Sequence, residues 1–377
     1  MKFVIATEEL NYLINKCQNI VGQKSTVPLL SNVLIEAKGN ELVITATDLT
    51  IGIRCFTEAK ILEEGVTTLP AKKFASLIRE ITSVNLEVST NANDVTEIVA
   101  DSSRFKLNGM KSGEYPALPD LMGAVQIKMP QEQLREMLFR TAFAVSREDD
   151  RYALTGVFLS IQNGKASFVA TDGKRLARTF LDVDTDPSFS GKYILPLKAV
   201  DEFVKNLEEE GEVTLHLLPD RIAVETEKAI IHTKLLTGEY PDVSGVIPEK
   251  TDTVLSLHRE ELMTLLRQIA LFVAEATHSV KFSFTDGELK LDANTAEVGE
   301  GKVSMPVNYH GQRLDIAFNP NYLLDILRHS KSETVLMGLN DAFNPGVITD
   351  SEDFQGSTAA STPLFVLMPM RLSEEIG

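Results

Sequence analysis

The apolar positions of the chain follow one pattern that returns three times. The segments "TTLPAKKFASLIREI", "YILPLKAVDEFVKNL" and "IAFNPNYLLDILRHS" each read as an apolar strand, a proline dipeptide and an amphipathic helix. Their prolines Pro70, Pro196 and Pro320 are 126 and 124 residues apart. Proline suits the first helical position, where its missing N–H has no partner to lose. Apolar residues recur at helical spacing after it, as Phe74, Leu77, Ile78 and Ile81 in the first copy and Val200, Phe203, Val204 and Leu207 in the second.

A second amphipathic helix opens each copy of the repeat. The segments are "EELNYLINKCQNIV" from Glu8, "QEQLREMLFRTAFAV" from Gln131 and "REELMTLLRQIALFV" from Arg259. In the first of them one apolar face comprises Leu10, Leu13, Ile14, Cys17 and Val21. This pattern predicts that Cys17 is a core residue.

The rest of each copy reads as short strands. Segments such as "KASFVATD" and "ELKLDANT" alternate apolar and polar residues and end in turn residues. Two helices among such strands are typical of an α+β domain, with helices on one face of antiparallel sheet. The sequence therefore predicts three domains of one kind, at residues 1–123, 124–249 and 250–377, with boundaries in loop-like sequence.

Composition narrows the class of protein. The chain has 377 residues, a net charge of -17 and 43% hydrophobic residues, which is ordinary for a globular protein. No apolar run approaches the roughly 18 residues of a membrane span, and the apolar stretch at the N-terminus is too short for a signal peptide. We therefore expect a cytoplasmic protein without a membrane partner, whose two cysteines, Cys17 and Cys55, are reduced.

Candidate catalytic chemistry is sparse. The usual hydrolase, zinc and nucleotide motifs are missing, and the six histidines are scattered, so we expect no catalytic residue, metal or cofactor. The best enzyme candidate is "ATDGKRLA", where Asp172 and Lys174 suggest an acid–base or phosphate-binding turn. A tight turn between strands is the preferred interpretation, since "TATDL" near Asp48 repeats the aspartate without the lysine. A hydrolase remains an alternative.

In combination, these motifs resemble one family over nearly the whole chain. The segments "PLLSNVLIEA", "TTLPAKKF", "RYALTG", "ATDGKRLA", "KLLTGEYPD" and the closing "MPMRL" occur in the order found in the β subunit of bacterial DNA polymerase III, the sliding clamp. The resemblance implies a head-to-tail homodimeric ring of six similar domains. Its helices would line a central hole for duplex DNA, and it would hold the polymerase on its template without catalysis. It also implies a clamp loader that opens the ring.

The resemblance further implies three sets of functional residues. The expected DNA-facing residues are Lys24, Lys72, Arg151, Tyr152 and Lys198. The expected pocket for peptides of the polymerase α subunit and of other proteins with a clamp-binding motif comprises Leu154, Thr171, Gly173, Lys174, Arg175, Leu176, Pro241, Val246, Val366, Met368, Pro369, Met370 and Arg371. The expected dimer contact, between the first domain and the partner's third, involves Phe105, Leu107, Leu271 and Phe272, with burial inside one subunit as the competing interpretation.

Three features depart from the family pattern near the expected pocket. Lys174 replaces a histidine, Gly245 stands where a longer basic residue is common, and the chain continues past Leu372 as "SEEIG". These changes predict altered peptide preferences at the rim of an intact pocket. The alternative to a clamp is a repeat-built interaction scaffold that never encircles DNA.

Overall fold

The chain folds into helices and antiparallel sheets, which confirms the α+β class. The computed structural model describes residues 1–22, 27–274, 278–295, 297–352, 354–358 and 363–371. The elements of the first repeat are β1 (Lys2–Ala6), α1 (Thr7–Gln18), β2 (Asn32–Lys38), β3 (Glu41–Thr47), β4 (Ile51–Glu58), β5 (Lys60–Glu63), β6 (Gly65–Pro70), α2 (Ala71–Glu80), β7 (Asn85–Thr90), β8 (Val95–Ala100) and β9 (Ser103–Asn108).

The second and third repeats have the same order of elements, without a counterpart of β5. The second contains β10 (Val125–Pro130), α3 (Gln131–Ala142), β11 (Gly156–Gln162), β12 (Lys165–Thr171), β13 (Arg175–Asp182), β14 (Ser190–Pro196), α4 (Leu197–Asn206), β15 (Glu212–Leu217), β16 (Arg221–Glu225) and β17 (Ala229–Lys234). The third contains β18 (Thr253–His258), α5 (Arg259–Ile269), β19 (Val280–Thr285), β20 (Glu288–Thr295), β21 (Gly299–Pro306), β22 (Leu314–Phe318), α6 (Pro320–Arg328), β23 (Thr334–Leu339), β24 (Gly346–Thr349) and β25 (Leu364–Leu367).

The helices begin where the apolar pattern predicts, within a residue or two. Leu10, Leu13, Ile14 and Cys17 are fully buried on one face of α1, as expected, and both cysteines are free and buried. Pro320 is the first residue of α6, whose Asn319 cap accepts a hydrogen bond from Asn321 N at 2.9 Å. The expectation was wrong by one residue at Pro70 and Pro196. Both still pair within a strand, with Asn32 and Gly156, so the helix begins one residue later.

The strands form four antiparallel sheets among the described residues. Two sheets lie within a single repeat, with strand orders β5-β1-β7-β8-β9 and β21-β20-β19-β22. Two eight-stranded sheets each join successive repeats, with orders β10-β15-β16-β17-β4-β3-β2-β6 and β14-β11-β12-β13-β25-β24-β23-β18. The joins are the pairs β4–β17 and β13–β25. Successive repeats thus share backbone hydrogen bonds and not only side-chain contacts.

The chain divides into two compact units that do not coincide with the three repeats. The first unit comprises Met1–Arg135 and Lys198–Leu235, and the second comprises Glu136–Leu197 and Leu236–Gly377. In the first unit α1 and α2 pack together, and α1 also contacts β1, β3 and β4. In the second unit α5 packs on α6, β20 and β21. The predicted domain boundaries after residues 123 and 249 stay predictions.

Candidate functional site

A cavity of about 210 Å³ opens in the second unit where β13 pairs with β25. We call it the β13–β25 cavity. It is lined by Arg151, Leu154, Thr171, Gly173, Arg175, Leu176, Pro241, Asp242, Val243, Val246, Val366 and Met368. Leu176 and Val366 face each other across the strand pair and are 2% and 0% exposed. Both belong to an apolar cluster with Val169, Ile247 and Phe354. The inner part of the cavity is therefore a rigid apolar surface.

The turn between β12 and β13 forms one side of the cavity. Thr171 Oγ1 donates to the Arg175 carbonyl at 2.6 Å and accepts from Gly173 N at 3.0 Å. Asp172 Oδ1 accepts from Lys174 N at 2.9 Å and from Arg175 N at 3.0 Å. Gly173 has a φ of +82°, which favours glycine. The carboxylate of Asp172 thus holds the turn together, which supports the turn interpretation over a hydrolase.

Arg175 lies at the cavity with its guanidinium held from several sides. Its Nε donates to Asp172 Oδ2 at 3.2 Å, Nη1 to Asp325 Oδ2 at 2.7 Å and Nη2 to the Phe143 carbonyl at 2.9 Å. The guanidinium also lies 4.7 Å from the centroid of the Tyr322 ring. Because two carboxylates neutralise its charge, Arg175 contributes a fixed polar surface to the cavity and little net positive charge.

Arg151 covers the same turn from outside. Its Nη2 donates to the Asp172 carbonyl at 2.7 Å, and its guanidinium lies close to Gly173. The sequence interpretation placed Arg151 with the DNA-facing residues, whereas the structure places it in the lining of the β13–β25 cavity. Its neighbour Tyr152 is 55% exposed.

Most residues of the expected pocket come together in this cavity. They are Leu154, Thr171, Gly173, Arg175, Leu176, Pro241, Val246, Val366 and Met368. Lys174, Pro369, Met370 and Arg371 are not among its lining residues. Met370 instead turns toward β22, where its N–H donates to the Ala317 carbonyl at 2.7 Å. The sequence interpretation missed Asp242 and Val243, although both lie in the repeated turn "EYPDVSG".

The other expected DNA-facing lysines lie at separate places. Lys72 is exposed on α2, and Lys198 is exposed at the start of α4, where its ammonium forms an ion pair with Asp48. Burial raises the pKa of Asp48, but the hydrogen bond from Lys198 and two backbone N–H donors outweigh burial and hold this pKa below its usual range. Lys24 lies outside the described residues.

The expected dimer residues lie on two strand edges or beside them. Phe105 and Leu107 are partly exposed on β9, the last strand of its sheet. Leu271 is 72% exposed in the turn Ala270–Phe272, and Phe272 lies against Gly301 of the edge strand β21. None of the four is a buried core residue of the subunit.

The described residues offer neither a metal site nor a membrane-spanning helix. They contain no group of three or more histidine, cysteine, aspartate or glutamate side chains placed to hold a metal ion. In that part of the chain, no helix is both long enough and apolar enough to cross a membrane.

Comparison with known proteins identifies the family. Models for the N-terminal, central and C-terminal domains of the DNA polymerase III beta subunit match residues 1–119, 128–242 and 244–369. The beta sliding clamp of Chlamydia pneumoniae is 52% identical over 375 residues and is covered, like this chain, to 100%. The beta sliding clamp of Haemophilus influenzae is 31% identical, with 99% of this chain and 100% of that relative covered.

Solved structures agree with the sequence comparison. The crystal structure of a sliding clamp from Pseudomonas aeruginosa, the DNA polymerase III subunit beta bound to griselimycin, has a TM-score of 0.92 at 29% identity. The match covers 99% of this chain and 100% of that one. Sequence, order of domains and fold therefore agree that this chain belongs to the DNA polymerase III beta subunit family, the beta sliding clamps.

Proposed function

We propose that the chain acts as a processivity factor: two copies form a head-to-tail ring that encircles duplex DNA and tethers the replicative polymerase. As a member of its family, the chain is a non-catalytic subunit of the polymerase. The observation that carries the proposed ring is the way successive repeats pair their strands.

One pairing rule connects the repeats. The last strand of the second repeat, β17, pairs with β4 of the first, and the last strand of the third repeat, β25, pairs with β13 of the second. In both pairs, the last strand of one repeat lies against the fourth strand of the repeat before it. The last strand of the first repeat, β9, and the fourth strand of the third repeat, β21, have no such partner within the chain as described. Both are edge strands of their sheets. Pairing β9 of one copy with β21 of another closes a ring and leaves neither edge open.

The apolar residues at these edges fit such a contact. Phe105 and Leu107 on β9 are partly exposed, and Leu271 projects beside β21 with most of its surface open. Exposed apolar residues next to an unpaired strand edge are a hazard for a protein that stays monomeric. Their burial against a second copy removes that hazard and adds apolar contact to the backbone hydrogen bonds.

A sliding protein should contact phosphates and avoid base edges, since base contacts would favour particular positions on the DNA. Exposed lysines such as Lys72 on α2 provide such contacts, whose strength falls with salt. A net charge of -17 weakens the attraction of DNA to the rest of the surface. We propose Lys72 and Lys198 as DNA-facing, together with Lys24 and Tyr152 by family resemblance.

We propose the β13–β25 cavity as the site where a short peptide of the polymerase α subunit, or of another clamp-binding protein, is seated. Its inner surface is apolar, Met368 supplies a flexible thioether, and Val246 is 41% exposed at the mouth. Arg151 and Arg175 add polar groups to its lining. We further propose that an ATP-dependent clamp loader places the ring on DNA. We also propose that the protein is located in the cytoplasm.

The decisive experiment separates a topological link from ordinary binding. The protein is loaded by a clamp loader onto a nicked circular plasmid, and half of the sample is then linearised. Retention on the circle with loss from the linear DNA is the expected result. Equal retention on both forms contradicts the ring and favours a surface-binding scaffold. The charge reversal Lys72→Glu should weaken binding to DNA at low salt, where the phosphate contact is strongest, whereas Lys60→Glu on β5 is the matched control.

A further inference from the structure

A second cavity lies in the first unit where β4 pairs with β17. We call it the β4–β17 cavity. Its volume is about 220 Å³, and it is lined by Thr47, Leu49, Thr50, Pro116, Ala117, Leu118, Pro119, Arg221, His232 and Lys234. These residues come from the turn between β3 and β4, from the proline-rich turn "EYPALPD", and from β16 and β17.

The two cavities are built from equivalent parts. Thr47 Oγ1 donates to the Ile51 carbonyl at 3.0 Å, and Asp48 Oδ1 accepts from Thr50 N at 2.9 Å and from Ile51 N at 2.8 Å. These bonds repeat those of the turn Thr171–Arg175 in the other cavity. A threonine and an aspartate side chain therefore hold the same turn in both repeats, Thr47 and Asp48 in the first and Thr171 and Asp172 in the second.

The strand pairing sets the correspondence on the other side of the cavity. Lys234 N donates to the Thr50 carbonyl at 2.9 Å, as Met368 N donates to the Lys174 carbonyl at 3.0 Å. His232 pairs with Gly52, as Val366 pairs with Leu176. His232 and Lys234 thus occupy the places that Val366 and Met368 take in the β13–β25 cavity.

The chemistry differs although the architecture is shared. Three apolar residues of the β13–β25 cavity have polar or small counterparts in the β4–β17 cavity. Gly52 takes the place of Leu176, His232 that of Val366, and Lys234 that of Met368. The glycine is required, because a Cβ at Gly52 would collide with the His232 ring. Arg221 adds a second cation to the lining. The β13–β25 cavity suits an apolar side chain, whereas the β4–β17 cavity is arranged for a negatively charged one.

His232 has an unused polar atom at this cavity. The residue is 8% exposed, and its Nε2 has no hydrogen-bond partner among the described residues. Burial, aided by the charge of Arg221, lowers the pKa of His232 to about 4, so the ring is neutral at pH 7. A buried polar atom without a partner is costly; this one faces Gly52 and has almost no exposed surface, so a charged ligand would contact Arg221 and Lys234 instead.

The two cations are only partly compensated. Arg221 donates from Nε and Nη2 to the Asp220 carboxylate at 3.0 and 2.7 Å, which leaves its Nη1 for another acceptor. Lys234 is exposed and forms no ion pair within 4.0 Å among the described side chains, although its charge, after the hydrogen bond and charge of Arg221, helps to lower the pKa of Asp220. Leu49, Leu118 and the two prolines supply an apolar surface beside these cations.

We propose that the β4–β17 cavity is a second binding site of the clamp, which takes an acidic linear peptide from a partner protein. A side-chain carboxylate of the peptide would lie between Arg221 and Lys234, and an apolar neighbour would contact Leu49 and Leu118. A peptide is favoured over a small anion because half of the lining is apolar. The seating of a peptide is taken from the proposed function of the β13–β25 cavity, so the inference rests on that proposal.

The test uses full-length protein with labelled leucine methyl groups. Leu49 and Leu118 report on the β4–β17 cavity, and Leu154 and Leu176 report on the β13–β25 cavity in the same spectrum. The probe is the acetylated peptide Glu-Glu-Val-Glu-Glu-amide, with Gln-Gln-Val-Gln-Gln-amide and inorganic phosphate as comparisons. We expect the acidic peptide to shift the Leu49 and Leu118 methyl signals. Lys234→Glu should weaken its binding at least tenfold, and the matched control Lys228→Glu, in the turn before β17, less than twofold.

Each other outcome overturns the proposal. No shift, a shift only at Leu154 and Leu176, equal binding of the neutral peptide, or equal binding to both variants excludes an acidic-peptide site. If phosphate alone produces the full shift and displaces the peptide, the cavity is an anion site and not a peptide site. Retention of Lys234→Glu on circular plasmid is measured separately, so failure of the ring and failure of this second site are distinguishable.

Discussion

The residues at positions 49 and 173 show how one turn serves two cavities. Leu49 has a φ of +75° and Gly173 a φ of +82°, so both occupy the left-handed region that favours glycine. Leu49 is 53% exposed, so its side chain finds space. Gly173 has no such space, because a Cβ there would lie 2.7 Å from Arg151 Nη1. The glycine is required for Arg151 to lie over the turn.

This contact leads to a prediction for Gly173→Ala. We expect a loss of about 1–2 kcal/mol in the free energy of unfolding, because a left-handed conformation penalises any Cβ. We also expect weaker binding of a polymerase-derived peptide, since Arg151 must move. Gly245→Ala is the matched control, because a Cβ at Gly245 meets open space. Urea unfolding and peptide titration measure both effects. Equal losses in the two variants would contradict this account.

His232 leads to a prediction about pH. Its folded-state pKa of about 4 lies below the ordinary value of 6.5, so the unfolded chain binds the proton more readily. The contribution of His232 to stability is complete above pH 6.5 and is lost as the pH falls toward 4. This amounts to about 2 kcal/mol between pH 7 and pH 5.

The measurement is urea unfolding of wild type and His232→Gln at both pH values. The variant loses the unpaired imidazole and with it this part of the pH dependence. We therefore expect the difference in stability between pH 7 and pH 5 to be smaller in His232→Gln by about 2 kcal/mol. An unchanged difference would show that the imidazole is already protonated at pH 5.

At the scale of elements, helices were predictable and strand partners were not. The helical faces followed from local spacing, as the buried side of α1 shows. The errors at Pro70 and Pro196 arose because each proline is the last paired residue of its strand. This pairing outweighs the preference of proline for the first helical turn, so the helix begins at the next residue. The joins β4–β17 and β13–β25 link residues more than 170 positions apart, and periodicity carries no information about such pairs.

Edge strands lead to a prediction about assembly. Leu271→Asp should raise the dissociation constant of the dimer at least tenfold, because ring closure would place a carboxylate in an apolar contact. Phe343→Asp is the control. Phe343 is also highly exposed, at 88%, but lies in the turn between β23 and β24, which belong to a different sheet from β9 and from β21. Mass measurement over a dilution series tests both. A dimer that tolerates Leu271→Asp unchanged would exclude this contact.

At the scale of the whole molecule, resemblance to the family predicted the candidate site better than any single motif. Residues as distant as Leu154 and Val366 were assigned together because the family pattern carries that information. Asp242 and Val243 were missed although their neighbour Pro241 was assigned, because the resemblance carries over single matched positions and not the whole turn. The position of Arg151 in the cavity lining was not predicted, because a sequence does not show which way an arginine points. The structure also shows that the cavities lie at joins between repeats.

Because the repeats share sheets, a single repeat is not a self-sufficient unit. Cutting after residue 123 removes β17 and leaves one edge of β4 unpaired along Ile51–Cys55, a segment in which Ile51, Ile53 and Cys55 are buried in the whole chain. An open apolar strand edge promotes association.

We expect fragment 1–123 to self-associate at concentrations at which the full chain remains in the proposed dimer. A synthetic peptide of residues 226–236, which contains β17, should suppress this association, and its scrambled counterpart should not. Light scattering of the fragment with each peptide decides the matter. If the fragment is monomeric and does not bind the β17 peptide, each repeat folds without its neighbour. The strand pairing between repeats would then no longer support the proposed ring.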